Sequence, residues 1–265
     1  MSLSDLASKE SPKHLPWLLA GQDFPQLQRA WGDADPAPGL LAAGDMLDVE
    51  TLIRAYSHGI FPWFSHDQPV LWWSPDPRMV LHTQNFRLHR SLRKALVHFA
   101  NDPQCEIRMD TAFEQVIEAC AGKPRPGQSG TWIVPSMQAS YIELHRAGWA
   151  HSVETWVNNK LVGGLYCVNL GTMVFGESMF ADQTDASKIA LAALVCFCRT
   201  NSIDMIDCQQ NTSHLAFLGA DEISRSEFSD HLRRHVTQNA PIWRFDFRYW
   251  NQILPTAPSP APKTS

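Results

Sequence analysis

Residues 151–209 read HSVETWVNNKLVGGLYCVNLGTMVFGESMFADQTDASKIALAALVCFCRTNSIDMIDCQ, and the succession of apolar patterns in them decides the expected fold class. His151 to Val157 alternates, with the period of a half-buried strand. Asn158-Asn159 follows as a tight hairpin turn, because asparagine tolerates the positive φ that such turns demand. Leu161 to Val168 returns, Asn169-Leu170-Gly171 turns again, and Thr172 to Phe180 runs as a third strand. Asp182 to Asp185 offers helix N-caps. Ser187 to Thr200 is an apolar helix, and Ile203 to Gln209 is a buried strand.

Two acids stand out against this apolar background. Asp207 and Gln209 are two residues apart on a strand and share a face, while Cys208 takes the other. An aspartate ending an apolar strand either accepts local backbone hydrogen bonds or serves a site, with the neighbouring amide orienting a substrate. Glu177 lies mid-strand between Phe175 and Met179, where a glutamate either faces solvent from an edge strand or has a partner. If both strands belong to one sheet, Glu177 and Asp207 can approach, and a hydrolase pair of acids is one chemistry open to them. A three-strand meander, a buried helix and a further strand is also the layout of GNAT acyltransferases, as a fold-level analogy.

Outward from this centre the pattern is less regular. Asp48 to Tyr56 reads as a short capped helix ended by Gly59. Gly59 to Phe64 is an apolar aromatic loop, Val70 to Trp73 is strand-like, and the prolines of Ser74 to Arg78 make a turn. From Pro77 to Asn101 there is no acid, yet Arg78, Arg87, Arg90, Arg93 and Lys94 occur. His89 to Phe99 within it has helical spacing. Such a run suits phosphate contact without sequence reading, or is a solvated helix face. Helices are expected over Thr111 to Cys120 and Ser136 to Gly148, with a polar loop, Gly122 to Gly130, between them. His214 to Gly219, Ser224 to His235 and an aromatic segment, Trp243 to Trp250, complete the chain. Residues 1–13 and the Pro/Ser/Thr/Ala-rich residues 255–265 are expected to be flexible tails.

The chain has 265 residues, a net charge of −5 and a hydrophobic fraction of 44%, as expected of a globular protein with a sizeable core. Mild acidity speaks against a dedicated nucleic-acid binder but allows a local basic patch. The six cysteines have no CxxC or zinc-finger spacing, so reduced core thiols and no metal are expected. The N-terminus lacks the apolar stretch of a signal peptide. The longest apolar run, Ile189 to Cys198, is about half the length needed to span a bilayer. A cytoplasmic protein without a membrane partner is the expectation. Ten tryptophans, among them Trp63, Trp72, Trp73 and Trp132, are core residues or stacking platforms.

Six strings occur in order: GIFPWF (59–64), WWSPDPR (72–78), GTWIVPSM (130–137), LVGGLYCVNLGTMVFGESMF (161–180), DASK (185–188) and DCQ with TSHLAFLGA (207–220). With them the chain resembles the leucyl/phenylalanyl-tRNA–protein transferase family over about residues 36 to 250. It departs from the family's pattern after Gln209, where Gln210-Asn211 stand in place of more apolar residues. The resemblance implies an α+β protein, a small N-terminal α/β domain (14–76) followed by a GNAT-like domain with a mixed sheet (77–254). It implies transfer of Leu or Phe, less readily Met, from aminoacyl-tRNA to the α-amine of proteins beginning with Arg or Lys, creating an N-degron. No metal or prosthetic group is implied, and the protein is expected to be a monomer. The family's aspartate and glutamine fall on Asp207 and Gln209, and its site glutamate on Glu177. Its two adenosine-holding tryptophans fall on Trp63 and Trp132, and its tRNA-facing helix on Arg90, Arg93 and Lys94.

The chemistry agrees with those residue types. An ester donor is already activated, and an α-amine of pKa about 7.7–8.0 is roughly one-tenth neutral at pH 7. Holding the two together supplies on the order of 7–11 kcal/mol. Asp207 can accept the amine proton and Gln209 can orient the amine, while Glu177 can add acidity that suits an Arg or Lys acceptor. Leu165, Met173, Phe175, Met179 and Phe197 are the candidate donor pocket, though each is equally an ordinary core residue. A CoA-dependent N-acetyltransferase is disfavoured, because Asp182 and Asp185 at the helix opening would repel a pyrophosphate. A non-catalytic tRNA-binding module would need the basic helix and the tryptophans but not Asp207.

Overall fold

A computed structural model describes residues 14–122 and 133–254. The expected tails and the loop at 123–132, including Trp132, lie outside the described residues. A first, small sheet is formed by β1 (Trp17–Leu18), β2 (Leu40–Gly44), β3 (Phe61–Pro62) and β4 (Val70–Trp73), in the order β1-β2-β4-β3. Helix α1 (Val49–Ser57) sits between β2 and β3, and Asp48 caps it by accepting from Thr51 N at 2.9 Å. Gly59, at φ 76°, turns the chain out of the helix.

A second sheet holds β5 (Arg78–His82), β6 (Cys105–Met109), β7 (Ala150–Val157), β8 (Lys160–Leu170), β9 (Met173–Ala181), β10 (Met205–Gln209) and β11 (Asp221–Ile223). Their order is β11-β5-β10-β9-β8-β7-β6, antiparallel throughout except that β10 runs parallel to β9. The expected mixed-sheet, α+β class is what the chain adopts. The expected meander is β7-β8-β9, its first turn made by Asn158 and Asn159 at φ 52° and 56°. The described helices are α2 (Arg90–Asn101), α3 (Phe113–Gly122), α4 (Pro135–Arg146), α5 (Ala186–Thr200), α6 (Ser213–Phe217) and α7 (Arg225–His235). None of them is long and apolar enough to cross a membrane.

Six strands, β1, β2, β3, β5, β6 and β11, were not expected from sequence. β5 was read only as part of a basic run, because Arg78 masks a strand of five residues. β6 is an edge strand of mixed polarity, CEIRM, and β1, β3 and β11 are only two or three residues long. The expected N-cap at Asp185 is also corrected. Asp185 holds the N-cap position at φ 64° but makes no side-chain cap bond, because its carboxylate takes Lys188 Nζ at 2.7 Å.

Each face of the second sheet carries its own apolar cluster. On one side α2, α5, α6 and the C-terminal 3-10 turn around Trp250 pack together. α5 lies close to β8 because Gly163 has no side chain; a Cβ there would come within 2.5 Å of Ala186 Cβ. On the other side α1, α3, α4, α7 and the entire small sheet share one cluster with Tyr166, Val168, Met173 and Phe175. The two sheets change over at Ser74–Pro77, yet one core runs beneath both. A further acid, Glu154, is fully buried in β7 and satisfied there. It accepts from Thr111 N (2.9 Å), Ala112 N (2.8 Å), Ser152 Oγ (2.7 Å) and Trp156 Nε1 (2.9 Å), which anchors the start of α3.

Candidate active site

The site lies where β9 and β10 part. Their parallel pairing covers Val174 opposite Ile206 and Phe175 opposite Asp207. Immediately beyond, both strands bulge. On β9, Gly176 pairs with Cys167 and Ser178 with Tyr166, which leaves Glu177 unpaired. On β10, Asp207 pairs with Val80 and Gln209 with Met79, which leaves Cys208 unpaired. Bulges re-aim side chains and end pairing, and here they turn Glu177 and Gln209 towards each other. Gln209 Nε2 donates to Glu177 Oε1 at 2.8 Å, so a side-chain bond spans the gap that the backbones leave.

Asp207 and Gln209 do lie on one side of the sheet, with Cys208 packed against the opposite cluster. Alternation alone does not put them there, because Gln209 adopts φ 63°. That left-handed conformation is held by its own N–H, which donates to Asp207 Oδ1 at 2.9 Å.

Asp207 itself is sealed, with no exposed surface. Arg78 Nε donates to Oδ1 at 2.8 Å and Arg78 Nη2 to Oδ2 at 2.6 Å. Arg78 is 1% exposed, donates its remaining terminal nitrogen to Gly59 O at 3.1 Å, and lies between the rings of Phe61 and Phe228, 4.8 and 4.6 Å from its guanidinium carbon. Arg78 is therefore not a phosphate contact, contrary to its inclusion in the basic run. Asp207 does not reach a surface that a substrate amine could touch. The proton-accepting role expected of it does not fit this placement.

Glu177 and Gln209 are half-buried and accessible. Besides Gln209, Glu177 accepts from Tyr56 OH at 2.7 Å and Tyr141 OH at 3.2 Å, and the two hydroxyls also bond to each other. Burial raises the Glu177 carboxyl to about 8. The Tyr56 and Tyr141 bonds and the Gln209 bond oppose that rise, while the nearby charge of Asp207 adds to it. Both phenols are pushed well above their ordinary value, by burial first and the Glu177 charge next. Burial likewise raises the Cys208 thiol, so it is no thiolate nucleophile.

Tyr56, Tyr141 and Arg78 were missed as site residues, though each left a trace. Tyr141 follows Met137 and precedes Leu144 on one apolar helix face, and Tyr56 follows Leu52 likewise. A buried phenol needs a partner for its hydroxyl, and an arginine leading an apolar strand needs an acid.

The remaining expected residues fall in different places. Trp63 is half-buried in the turn after β3, its ring 5.4 Å from that of Trp73, whose Nε1 donates to Trp63 O at 2.7 Å. Arg90, Arg93 and Lys94 are exposed on α2. The five candidates for a donor pocket do not converge. Met173 and Phe175 pack under the small-sheet side, whereas Leu165, Met179 and Phe197 pack on the α5 side. Only Met179 among them is not fully buried.

Comparison with known proteins bears on this site. A family model described as leucyl/phenylalanyl-tRNA protein transferase matches residues 80–233, and one described as the N-terminal domain of the same transferase matches residues 45–76. A Polaromonas protein is 70% identical over 249 residues, covering 94% of this chain and 97% of its own. One from Albidiferax ferrireducens is 63% identical over 243 residues, covering 92% and 96%. One from Methylibium petroleiphilum is 56% identical over 248 residues, covering 92% and 94%. All three are called leucyl/phenylalanyl-tRNA–protein transferase.

Two outcomes are expected of the site itself. Asp207→Ala leaves Arg78 charged and unpaired in the core and should cost about 3–5 kcal/mol in urea unfolding. Adding Arg78→Met should recover part of that loss; full additivity would show that the pair is not coupled. The raised pKa of Glu177 means that the folded chain holds its proton more tightly than the unfolded chain. Its stabilisation is therefore complete below the ordinary value of 4.5 and lost as the pH rises through about 8. Relative to Glu177→Gln, the natural protein should lose stability over that interval with a slope of up to about 1.4 kcal/mol per pH unit. Parallel stability curves for the two would contradict the shift.

Proposed function

The chain belongs to the leucyl/phenylalanyl-tRNA protein transferase family and is an aminoacyltransferase, and from that premise we propose how its residues divide the work and what it accepts. The donor is Leu- or Phe-tRNA, with Met-tRNA used less readily. The acceptor is the α-amine of a protein that begins with Arg or Lys, and the product is an N-degron made by a cytoplasmic monomer.

Glu177 carries the reading. It is accessible, three hydrogen-bond donors converge on it, and its carboxyl is raised to about 8, beside the amine's own range of about 7.7–8.0. A base matched to its substrate in this way is suited to general catalysis near neutral pH. The neutral amine attacks the ester carbonyl carbon, and Glu177 takes the proton that the nitrogen sheds. The ester C–O bond breaks, the ribose oxygen leaves with that proton, and a peptide bond remains. Gln209, tethered to Glu177 at 2.8 Å, orients the reacting groups. Asp207 acts from beneath as a positioning residue, through Arg78 and the Gln209 backbone. A cationic acceptor side chain bound nearby favours the ionised, proton-accepting form of Glu177.

The donor ester enters where β9 and β10 part, with Met179 the one pocket candidate that is not fully buried. Trp63 and Trp132 stack on the terminal adenosine, an interaction worth about 1–3 kcal/mol per base. Arg90, Arg93 and Lys94 meet phosphates. Trp63 and α2 pack on opposite clusters, so a ligand that touches both must span the sheet, as a tRNA acceptor arm can.

Incubated with Leu-tRNA and peptides beginning with Arg, Lys or Ala, the protein should add Leu to the first two and not the third. Product on none of them would overturn the reading. Changing Arg90, Arg93 and Lys94 together to Ala should weaken tRNA binding and flatten its salt dependence, by roughly two in the log–log slope. An unchanged slope would remove α2 from the tRNA interface.

A further inference from the structure

Helix α6 covers the core with one side and leaves the other bare. Leu215 and Ala216 pack on the cluster that holds α2 and α5, and Thr212 caps the helix by accepting from Leu215 N at 3.2 Å. Phe217 takes no part in that cluster. It is 56% exposed, the most exposed phenylalanine, tyrosine or tryptophan among the described residues. A single apolar side chain in water is ordinary on a protein surface. Phe217 is set apart by the ring beneath it and the charges beside it.

The ring beneath it is that of His89. The two are stacked, with centroids 3.8 Å apart and planes 15° from parallel. His89 Nε2 lies 2.8 Å from Phe217 O. A carbonyl only accepts, so that nitrogen carries a proton and donates it. The imidazole is thus fixed by the backbone of the residue whose ring it supports. Arg87 N also donates to Leu218 O at 2.8 Å, and Gly219 lies so close to Asn85 that a Cβ on it would sit 2.2 Å from Asn85 O. α6 and the segment leading into α2 therefore form one surface. With His89 on one face of the Phe217 ring, the opposite face is the open one.

The charges beside it belong to the start of α2, of which His89 is the N-cap residue. Arg93 N donates to His89 O at 2.8 Å, so Arg93 stands one turn along the helix from the imidazole. Arg87, Arg90, Arg93 and Lys94 are all exposed. An open aromatic face among cations is what single-stranded nucleic acid requires, its bases stacking on the ring while its phosphates follow the positive charge.

We propose that Phe217, backed by His89, is a stacking platform for an unpaired base in the 3′ end of the donor tRNA, upstream of the terminal adenosine. The proposal rests on the reading of α2 as the tRNA-facing helix. Bases inside an RNA duplex offer no free face, whereas unpaired ends can lay theirs on an aromatic ring. The platform is also within reach of the site. Phe217 follows Gln209 by eight residues, of which four are extended and four helical, so the two Cα atoms are roughly 20 Å apart at most. A short unpaired strand covers that distance. Stacking tolerates any base, so the platform recognises an unpaired strand and not its sequence.

The test measures binding of the full-length chain to two deacylated tRNAs, one intact and one trimmed of its unpaired 3′ nucleotides. Phe217→Ala should bind intact tRNA about fivefold or more weakly than the natural protein, with an unchanged melting temperature. Its salt slope should also be unchanged, because no charge is removed. Phe217→Trp should bind at least as well as the natural protein. On trimmed tRNA the natural protein and Phe217→Ala should bind alike. Undiminished binding by Phe217→Ala, an equal loss on both tRNAs, or a Trp variant no better than the Ala variant would each overturn the proposal. The variant with Arg90, Arg93 and Lys94 all changed to Ala reads α2 separately. An unchanged slope there, beside the expected loss in Phe217→Ala, would remove α2 from the interface and leave the platform standing.

Discussion

The buried pair between Arg78 and Asp207 is the constraint on which the site depends. An unpaired charge in a protein interior costs several kcal/mol, so neither residue is tolerable without the other. Their bond therefore fixes where β5 and β10 stand. Through Arg78 it also reaches Gly59 at the end of α1 and the rings of Phe61 and Phe228. Through Asp207 it sets the left-handed backbone of Gln209. Five elements from distant parts of the chain thus meet at one ion pair. Such a pair contributes less to net stability than to uniqueness of arrangement, since an apolar replacement of equal volume can be as stable.

Above this pair sit the groups that face solvent. Glu177 and Gln209 stay partly accessible because two neighbouring strands bulge at the same level, and each bulge withdraws one residue from the ladder. Tyr56 and Tyr141 then approach from α1 and α4 to meet the carboxylate. The small N-terminal sheet and its helix are thereby part of the chemistry, since one of the two phenols is theirs.

Much of this was legible in the sequence. Alternation, the Asn158-Asn159 turn and the apolar helix were enough to place the meander, α5 and β10. The two acids were conspicuous because their strands are otherwise apolar. Which acid is accessible was not legible, since strand periodicity assigns faces and not depth. The bulges were hidden as well, because they depend on register between strands and leave no local signature in Phe175-Gly176-Glu177-Ser178. Arg78 was misread for a related reason. A charge next to other charges in sequence looks solvated until the tertiary fold gives it a partner 129 residues away. The five apolar residues grouped as a pocket show the same limit, since they divide between two faces of the sheet.

The single core beneath both sheets has a consequence for how the chain comes off the ribosome. Leu40, Trp72 and Tyr56 are synthesised early, but their cluster is completed by Phe175 and finally by Phe228 and Leu232. Until almost the whole chain has emerged, the small sheet has no finished surface to rest on, and its tryptophan-rich face stays open to water and to chaperones. Burial that depends on the last helix turns completion of translation into the step that closes the N-terminal half.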